Sequence, residues 1–213
     1  MKLDDFFPYI LPEVLGCPDP VLRNALRLTA IDFCNRTHSW TEISDPLPLI
    51  DGVKDYDLDV PSGAYAQTVR DVWLGSRRLE PATMAQLQAV LPNWPTAESS
   101  EPTYYNLAAE RGVLRVYPTP VNVGTQALVC RTVFVPTAAA TVLPDFLGQD
   151  QLEVIAAGTK YRLMLMPGVT WSNPELGAFY KTQFDAGVTD SQAEEAHDRV
   201  PGSLTVPARS FGF

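Results

Sequence analysis

The stretch 17-CPDPVLRNALRLTAIDFCNRTHSW-40 decides how the chain begins its fold. Asp19 is a good helix N-cap, and Pro20 suits the first helical position, where a missing N–H leaves nothing unsatisfied. Leu22, Leu26, Thr29 or Ala30, and Phe33 then recur at helical spacing, while Arg23, Arg27, Asp32 and Arg36 fall largely on other faces. The pattern predicts a helix over 19–38. The same grammar returns at Asn173-Pro174-Glu175: a cap, a proline and an early acid. Leu176, Tyr180, Phe184 and Val188 follow at helical spacing, with Phe179 beside them. Run to Arg199, this helix would be about 40 Å long at ~1.5 Å per residue. Residues 190–199 are polar nearly all round, so that half needs a partner or lies exposed and frayed. Before it, helical grammar after Pro144-Asp145 places Leu152, Ile155 or Ala156, Thr159 and Leu163 on one stripe up to Met166, where Pro167-Gly168 stops it.

The middle of the chain has a different period. Residues 55-DYDLDV-60 alternate strictly, as a half-buried strand does, and Pro61-Ser62-Gly63 makes a turn. Residues 65–74 read as a second strand, which Gly75-Ser76 connects to a return strand at 77–80. Thr83 and Gln86 form a capping box for a short helix at 83–90, with Met84, Leu87 and Leu91 toward a core. A proline-rich loop at 92–102 leads to strands at 103–106, 112–117 and 125–135. The last alternates Ala127, Val129, Arg131 and Val133 against Leu128, Cys130, Thr132 and Phe134. Short turns between these strands call for mostly antiparallel pairing. The whole reads as an α+β fold. Residues 1–45 and 140–199 form a helical bundle, discontinuous in sequence; 46–139 form a β-rich insertion; 200–213 form an extended C-terminal tail. That tail has Pro201, Gly202, Pro207 and Gly212 against helix, yet keeps Leu204, Val206, Phe211 and Phe213. At ~3.3 Å per residue it reaches about 45 Å, and spaced apolar anchors on an extended segment suit docking onto another chain.

Composition narrows the function. The 213 residues carry a net charge of −9, with 16 Lys and Arg and no basic run. A protein that grips nucleic acid neutralises phosphates with cations, so this composition argues against gripping DNA, although an acidic wall can stand beside DNA and repel it. Three cysteines, Cys17, Cys34 and Cys130, form no CxxC pair, and their odd number argues against a disulfide framework. They read as reduced and buried. The first residues, MKLDDFFPYILPEVLG, place Asp4 and Asp5 before the apolar run and Pro8 and Pro12 inside it, unlike a signal peptide. No run approaches the ~20 apolar residues that span a bilayer.

Chemistry is sparse. His38 and His197 are the only histidines, at the ends of predicted helices and outside any metal spacing. Asp51, Asp55, Asp57 and Asp59 look like a calcium loop but lack its glycine and its closing glutamate, since Val60 and Ala66 stand there. They read as the charged face of an edge strand. No nucleophile elbow, Walker loop or dinucleotide fingerprint occurs. Asp145 or Glu153 could pair with another carboxylate as in a glycosidase, which needs ~5–9 Å between the two groups. Trp40, Trp73, Trp94, Trp171, Tyr104 and Tyr105 suit core or interface anchors, or the platform of a sugar-binding face. The sequence therefore points to no cofactor, no metal site and no catalytic residue.

Six blocks in order carry a resemblance over about residues 10–190: CPDPVLRNALRLTAIDFCNRTHSW (17–40), YDLDVPSG (56–63), EPTYYN (101–106), GVLRVYPTP (112–120), LPDFL (143–147) and WSNPELGAFYKTQFDAG (171–187). Together the set resembles the head-to-tail adaptor, or connector, proteins of tailed bacteriophages, of the short-tailed phage and prophage type. The resemblance implies a non-enzymatic virion protein at the head–tail interface, assembled in the host cytoplasm. It implies a ring, commonly of twelve copies, that joins the portal protein to the tail or nozzle protein. DNA passes through such a ring without sequence-specific binding, and no membrane is involved. It also implies that the C-terminal tail, with Leu204, Val206, Arg209, Phe211 and Phe213, docks on the portal. The alternatives are another tail-completion or stopper component, a cell-wall hydrolase, or a glycan-binding module on the β-rich insertion.

Overall fold

The computed structural model describes residues 1–109 and 112–197. Its fold is α+β, with antiparallel pairing in all but two short strand pairs. Helix α1 spans Asp19–Thr37 and buries Leu22, Ala25, Leu26, Thr29, Ala30, Phe33, Cys34 and Thr37 at steps of three and four. Its cap lies one residue earlier than Asp19. The carbonyl of Pro18 accepts the N–H groups of Val21 (3.0 Å) and Leu22 (3.1 Å), so Asp19 sits inside the first turn, where a carboxylate favours the helix dipole. The helix stops at His38, which adopts a left-handed conformation (φ 56°) and donates its N–H to the carbonyl of Cys34 at 3.0 Å.

The next elements build the β region. They are β1 (Thr41–Ile43), β2 (Leu47–Pro48), β3 (Asp55–Asp57), β4 (Ala64–Leu74), β5 (Arg77–Arg78), β6 (Glu80–Pro81), α2 (Met84–Val90), β7 (Glu98–Ser99), β8 (Tyr104–Leu107), β9 (Val113–Tyr117), β10 (Thr119–Pro120) and β11 (Ala127–Pro136). One sheet runs β1-β11-β4-β5 with β2 also on β11, a second runs β3-β9-β8-β6, and β7 pairs with β10. The strand expected at 55–60 is paired only at Asp55–Asp57, but its alternation holds: Tyr56 and Leu58 are buried, and Asp55, Asp57 and Asp59 are exposed at a sheet edge. The return strand expected at 77–80 divides. Arg77 and Arg78 pair with β4, Leu79 is buried with its N–H on the carbonyl of Val72 (2.8 Å), and Glu80 and Pro81 cross to β8 in the other sheet. The capping box of α2 forms, with Thr83 and Gln86 bonded reciprocally at 2.8 and 3.3 Å; Leu87 is buried, but Met84 is exposed.

Alternation fails in the two long strands for a physical reason. The β4–β11 register slips between Arg131 and Thr132 and between Val133 and Phe134, which leaves Arg70 and Gln67 without Cα partners. Each bulge turns the strand, so burial in β4 falls on Ala66, Val69 and Val72, every third residue. In β11 every residue from Thr132 to Pro136 is buried, because α1 packs on one face while the second sheet covers the other. Phe134 belongs to the core of the β region and Val135 to the helical core.

The chain then returns to the helices through α3 (Phe146–Gln149), α4 (Leu152–Met164) and α5 (Pro174–Ala196). The helical stretch after Pro144 is thus two helices, broken at Asp150 and Gln151. Asn173 caps α5, its side chain accepting the N–H of Leu176 at 3.2 Å, with Pro174 first. The N-terminal residues join this core as 3₁₀ turns at Leu3–Tyr9 and Leu11–Glu13, burying Leu3, Phe6, Ile10 and Val14. A carboxylate of Glu13 binds Lys160 Nζ (2.6 Å) and the Tyr180 hydroxyl, tying this segment to α4 and α5. Burial would raise the Glu13 carboxyl, but the hydrogen bonds from Lys160 and Tyr180 and the Lys160 charge prevail, so it titrates below its ordinary range. Burial, with Glu13 beside it, pushes the Tyr180 phenol up to about 12.

Helices α1, α4 and α5 meet at Gly158. A Cβ there would lie 2.4 Å from Thr29 Cγ2 of α1 and 2.5 Å from Phe184 Cδ2 of α5. One turn of α5 further on, Gly187 takes Val154 of α4 in the same way, with 2.5 Å to Cγ2. Gly177, by contrast, meets Leu165 Cδ2 at 3.2 Å and Met164 Cβ at 3.3 Å, contacts that a shift of a few tenths of an ångström relieves. Gly158→Ala is therefore expected to lower the unfolding free energy by about 1–3 kcal/mol, the usual cost of overpacking. Gly177→Ala should be neutral, or stabilise by up to about 1 kcal/mol through helix propensity. Urea unfolding of the two variants checks the contrast.

Candidate functional site

Two features of the described residues bear on function. One is a charged junction between the helices and the sheet; the other is exposed apolar surface. The junction follows from the β4 bulge, which places Arg70 between strand and helix. Arg70 Nη1 donates to Glu195 Oε1 at 2.9 Å, and Arg131 Nη2 lies 3.9 Å from the same oxygen. Asp71 bonds Arg78 and lies 3.8 Å from Arg131 Nη1. The side chains of Glu195 and Asp71 are only 11% and 13% exposed, so water screens these pairs weakly.

The polar end of α5 therefore has partners within the chain itself. Ser191 bonds Gln151 at 3.1 Å and Gln192 Nε2 donates to the carbonyl of Arg36 at 2.8 Å, satisfying a C-terminal carbonyl of α1. Glu195 completes the series on β4. His38 stands beside this network. Burial and the Arg70 charge hold its imidazole below the ordinary histidine range, against an opposing pull from Glu195.

The exposed large apolar side chains lie on different elements. Leu165 and Phe179 are exposed at the α4–α5 end, where Leu176, Phe179, Asn173 and Glu175 line a pocket of about 360 Å³. Phe179 stacks edge-on against Tyr180, with ring centres 5.5 Å apart. In the β region Ile43, Ile50 and Val90 are exposed, Ile43 at 68%.

The residues weighed for chemistry are dispersed. Asp145 bonds the amino group of Met1, and Glu153 stands exposed on α4. Asp51 accepts the N–H of Val123 at 3.0 Å, and Asp55 pairs with Arg115 at 2.8 Å. His197 caps α5. No group of three or more His, Cys, Asp or Glu among the described residues is placed to hold a metal ion. Cys17, Cys34 and Cys130 are free and buried, and burial pushes the Cys34 thiol up to about 12 and that of Cys130 to about 11. Trp40 packs on Phe134 (5.9 Å), Trp94 sits edge-on against Tyr117 (5.6 Å), and Tyr105 donates to the carbonyl of Arg70 (2.9 Å). Trp73, Trp171 and Tyr104 are half-buried. Leu204, Val206, Arg209, Phe211 and Phe213 lie outside the described residues.

No protein-family model and no curated protein matches the chain.

Two outcomes follow from the junction. Glu195→Gln takes the carboxylate charge from beside Arg70 and Arg131; unfolding free energy should fall by about 1–3 kcal/mol, and amide exchange of 190–196 should accelerate first. The second concerns pH. Because the folded state lowers the His38 pKa, the unfolded state binds its proton first, and stability is lost as pH falls from the unfolded value near 6.5 toward the lower folded one. His38→Asn, which tolerates the left-handed conformation, should lose less stability than the parent between about pH 7.5 and 5.5 in paired urea titrations.

Proposed function

We propose that the chain is a structural assembly subunit, a head-to-tail adaptor of tailed bacteriophages. It forms a ring, of twelve copies on the family pattern, that joins portal protein to tail or nozzle protein and continues the DNA channel. The observation that carries this reading is the ordered set of six sequence blocks, and the positions they take in the fold support it. Block 17–40 builds α1, its left-handed stop at His38 and the Trp40 contact with Phe134. Block 171–187 builds the cap of α5 and the Gly187 contact with Val154.

A closed ring is heterologous, so each copy needs two different patches. The exposed apolar residues at Leu165 and Phe179 and those at Ile43 and Ile50 supply candidates on separate elements. The net charge of −9 suits a channel that lets DNA slide rather than stick. In this reading the protein is not an enzyme and needs no cofactor. The tail residues Leu204, Val206, Arg209, Phe211 and Phe213 dock on the portal, at the head–tail interface of the virion.

Deletion of 200–213 tests the tail assignment. The truncated protein should unfold at the temperature of the full chain and fail to co-sediment with isolated portal rings; full-affinity binding would contradict the assignment. Phe179→Asp should leave the monomer's unfolding unchanged and abolish ring formation in analytical ultracentrifugation.

A further inference from the structure

At the edge of the five-stranded sheet, where β1 and the chain after β3 face each other, a pocket of about 130 Å³ is lined by Glu42, Asp45 and Asp59, with Thr132, Phe134 and Leu58 around them. We propose that this pocket receives the guanidinium group of an arginine on a partner protein chain. The inference does not rest on the adaptor reading, because it follows from the chemistry of the lining alone.

Everything polar that lines the pocket as a charged group is an acceptor. Glu42 and Thr132 are direct cross-strand partners, which sets them side by side on one face. Glu42 Oε1 already takes the indole N–H of Trp40 at 2.8 Å, leaving its second oxygen. Ser44 exchanges two bonds with Cys130, N–H to carbonyl at 2.8 Å and hydroxyl from N–H at 3.0 Å, and so pins the turn that carries Asp45. No ion pair among the described residues neutralises Glu42, Asp45 or Asp59. Thr132 is 2% exposed, and its hydroxyl oxygen has no hydrogen-bond partner. A buried hydroxyl without a partner is costly, so its persistence beside three unpaired carboxylates points to a ligand that brings donors and positive charge.

The geometry selects among cations. Calcium needs six to eight oxygens converging at about 2.3–2.6 Å, and no acid cluster of the described residues gathers tightly enough to hold a metal. An ammonium is compact and has three donors. A guanidinium is planar and carries five N–H donors in a fixed fork, which matches acceptors spread over three segments of the chain. Ile43 lines the same pocket and is 68% exposed, so an apolar neighbour of the arginine finds a contact beside it.

Trp40 reports on the site, since its indole bonds Glu42. The experiment follows the Trp40 indole N–H signal of the ¹⁵N-labelled full chain, assigned with Trp40→Phe. N-acetyl-argininamide, N-acetyl-citrullinamide, N-acetyl-lysinamide and calcium chloride are each titrated in. The arginine compound should shift the signal saturably in the millimolar range, and the neutral citrulline isostere should not. Asp45→Asn/Asp59→Asn, which leaves the Trp40–Glu42 bond in place, should weaken binding at least about tenfold. Thr132→Val should weaken it several-fold while raising the unfolding temperature, because a partnerless hydroxyl is removed. Equal shifts by citrulline, tighter binding of lysine or calcium, or no saturable shift by the arginine compound would each overturn the proposal.

Discussion

The fold depends on a side chain that is a single hydrogen. At Gly158, α4 comes so near α1 and α5 that Thr29 and Phe184 occupy the space of a methyl group. Glycine inside a helix normally costs about 1 kcal/mol against alanine. Here the close approach buries Phe184, Ile155, Leu26 and Phe33 in one cluster, and burying side chains of that size stabilises by about 1.5–3 kcal/mol each. Gly187 extends the same contact along α5. With the helices set at that distance, the end of α5 lies on β4, and Glu195 reaches Arg70.

That sequence of consequences explains how two cores act as one body. Strand β11 is shared: Phe134 faces the β core and Val135 the helical core. The bulges in β4 turn Arg70 toward the helices, and Gln192 closes the C-terminal end of α1. An acidic protein thus gathers Arg70, Arg78 and Arg131 around Glu195 and Asp71, and leaves Glu42, Asp45 and Asp59 at the sheet edge without an ion pair among the described residues.

Local signals were legible in the sequence, and distant ones were not. The caps at Asn173 and at Thr83 with Gln86 form as their residue types require, because a cap is decided within four residues. The amphipathic stripe of α1 and the exposed aspartates of β3 were legible for the same reason, whereas α4 is buried all round from Ile155 to Lys160 because other elements pack on every side of it. Gly158 reads locally as a weak point, and only the packing of two remote helices gives it meaning. Glu195 and Arg70 are 125 residues apart, so a polar helix end looked unpartnered. The bulges also defeated the two-residue period in β4, since each inserts a residue that alternation does not foresee, and in β11 the period is lost from Thr132 on, where both faces are covered. At the candidate sites, the acids of β3 were visible as a charged edge. The pocket formed by Glu42, Asp45, Asp59 and Thr132 was not, because it joins three separate segments.

The adaptor reading unites a body built on two cores, exposed apolar side chains on separate elements and an acidic net charge. Its most direct test is electron microscopy of the purified chain mixed with its isolated portal. The account predicts a second ring stacked on the portal ring, coaxial with its channel. Portal rings that remain bare at saturating concentrations of the chain would contradict it.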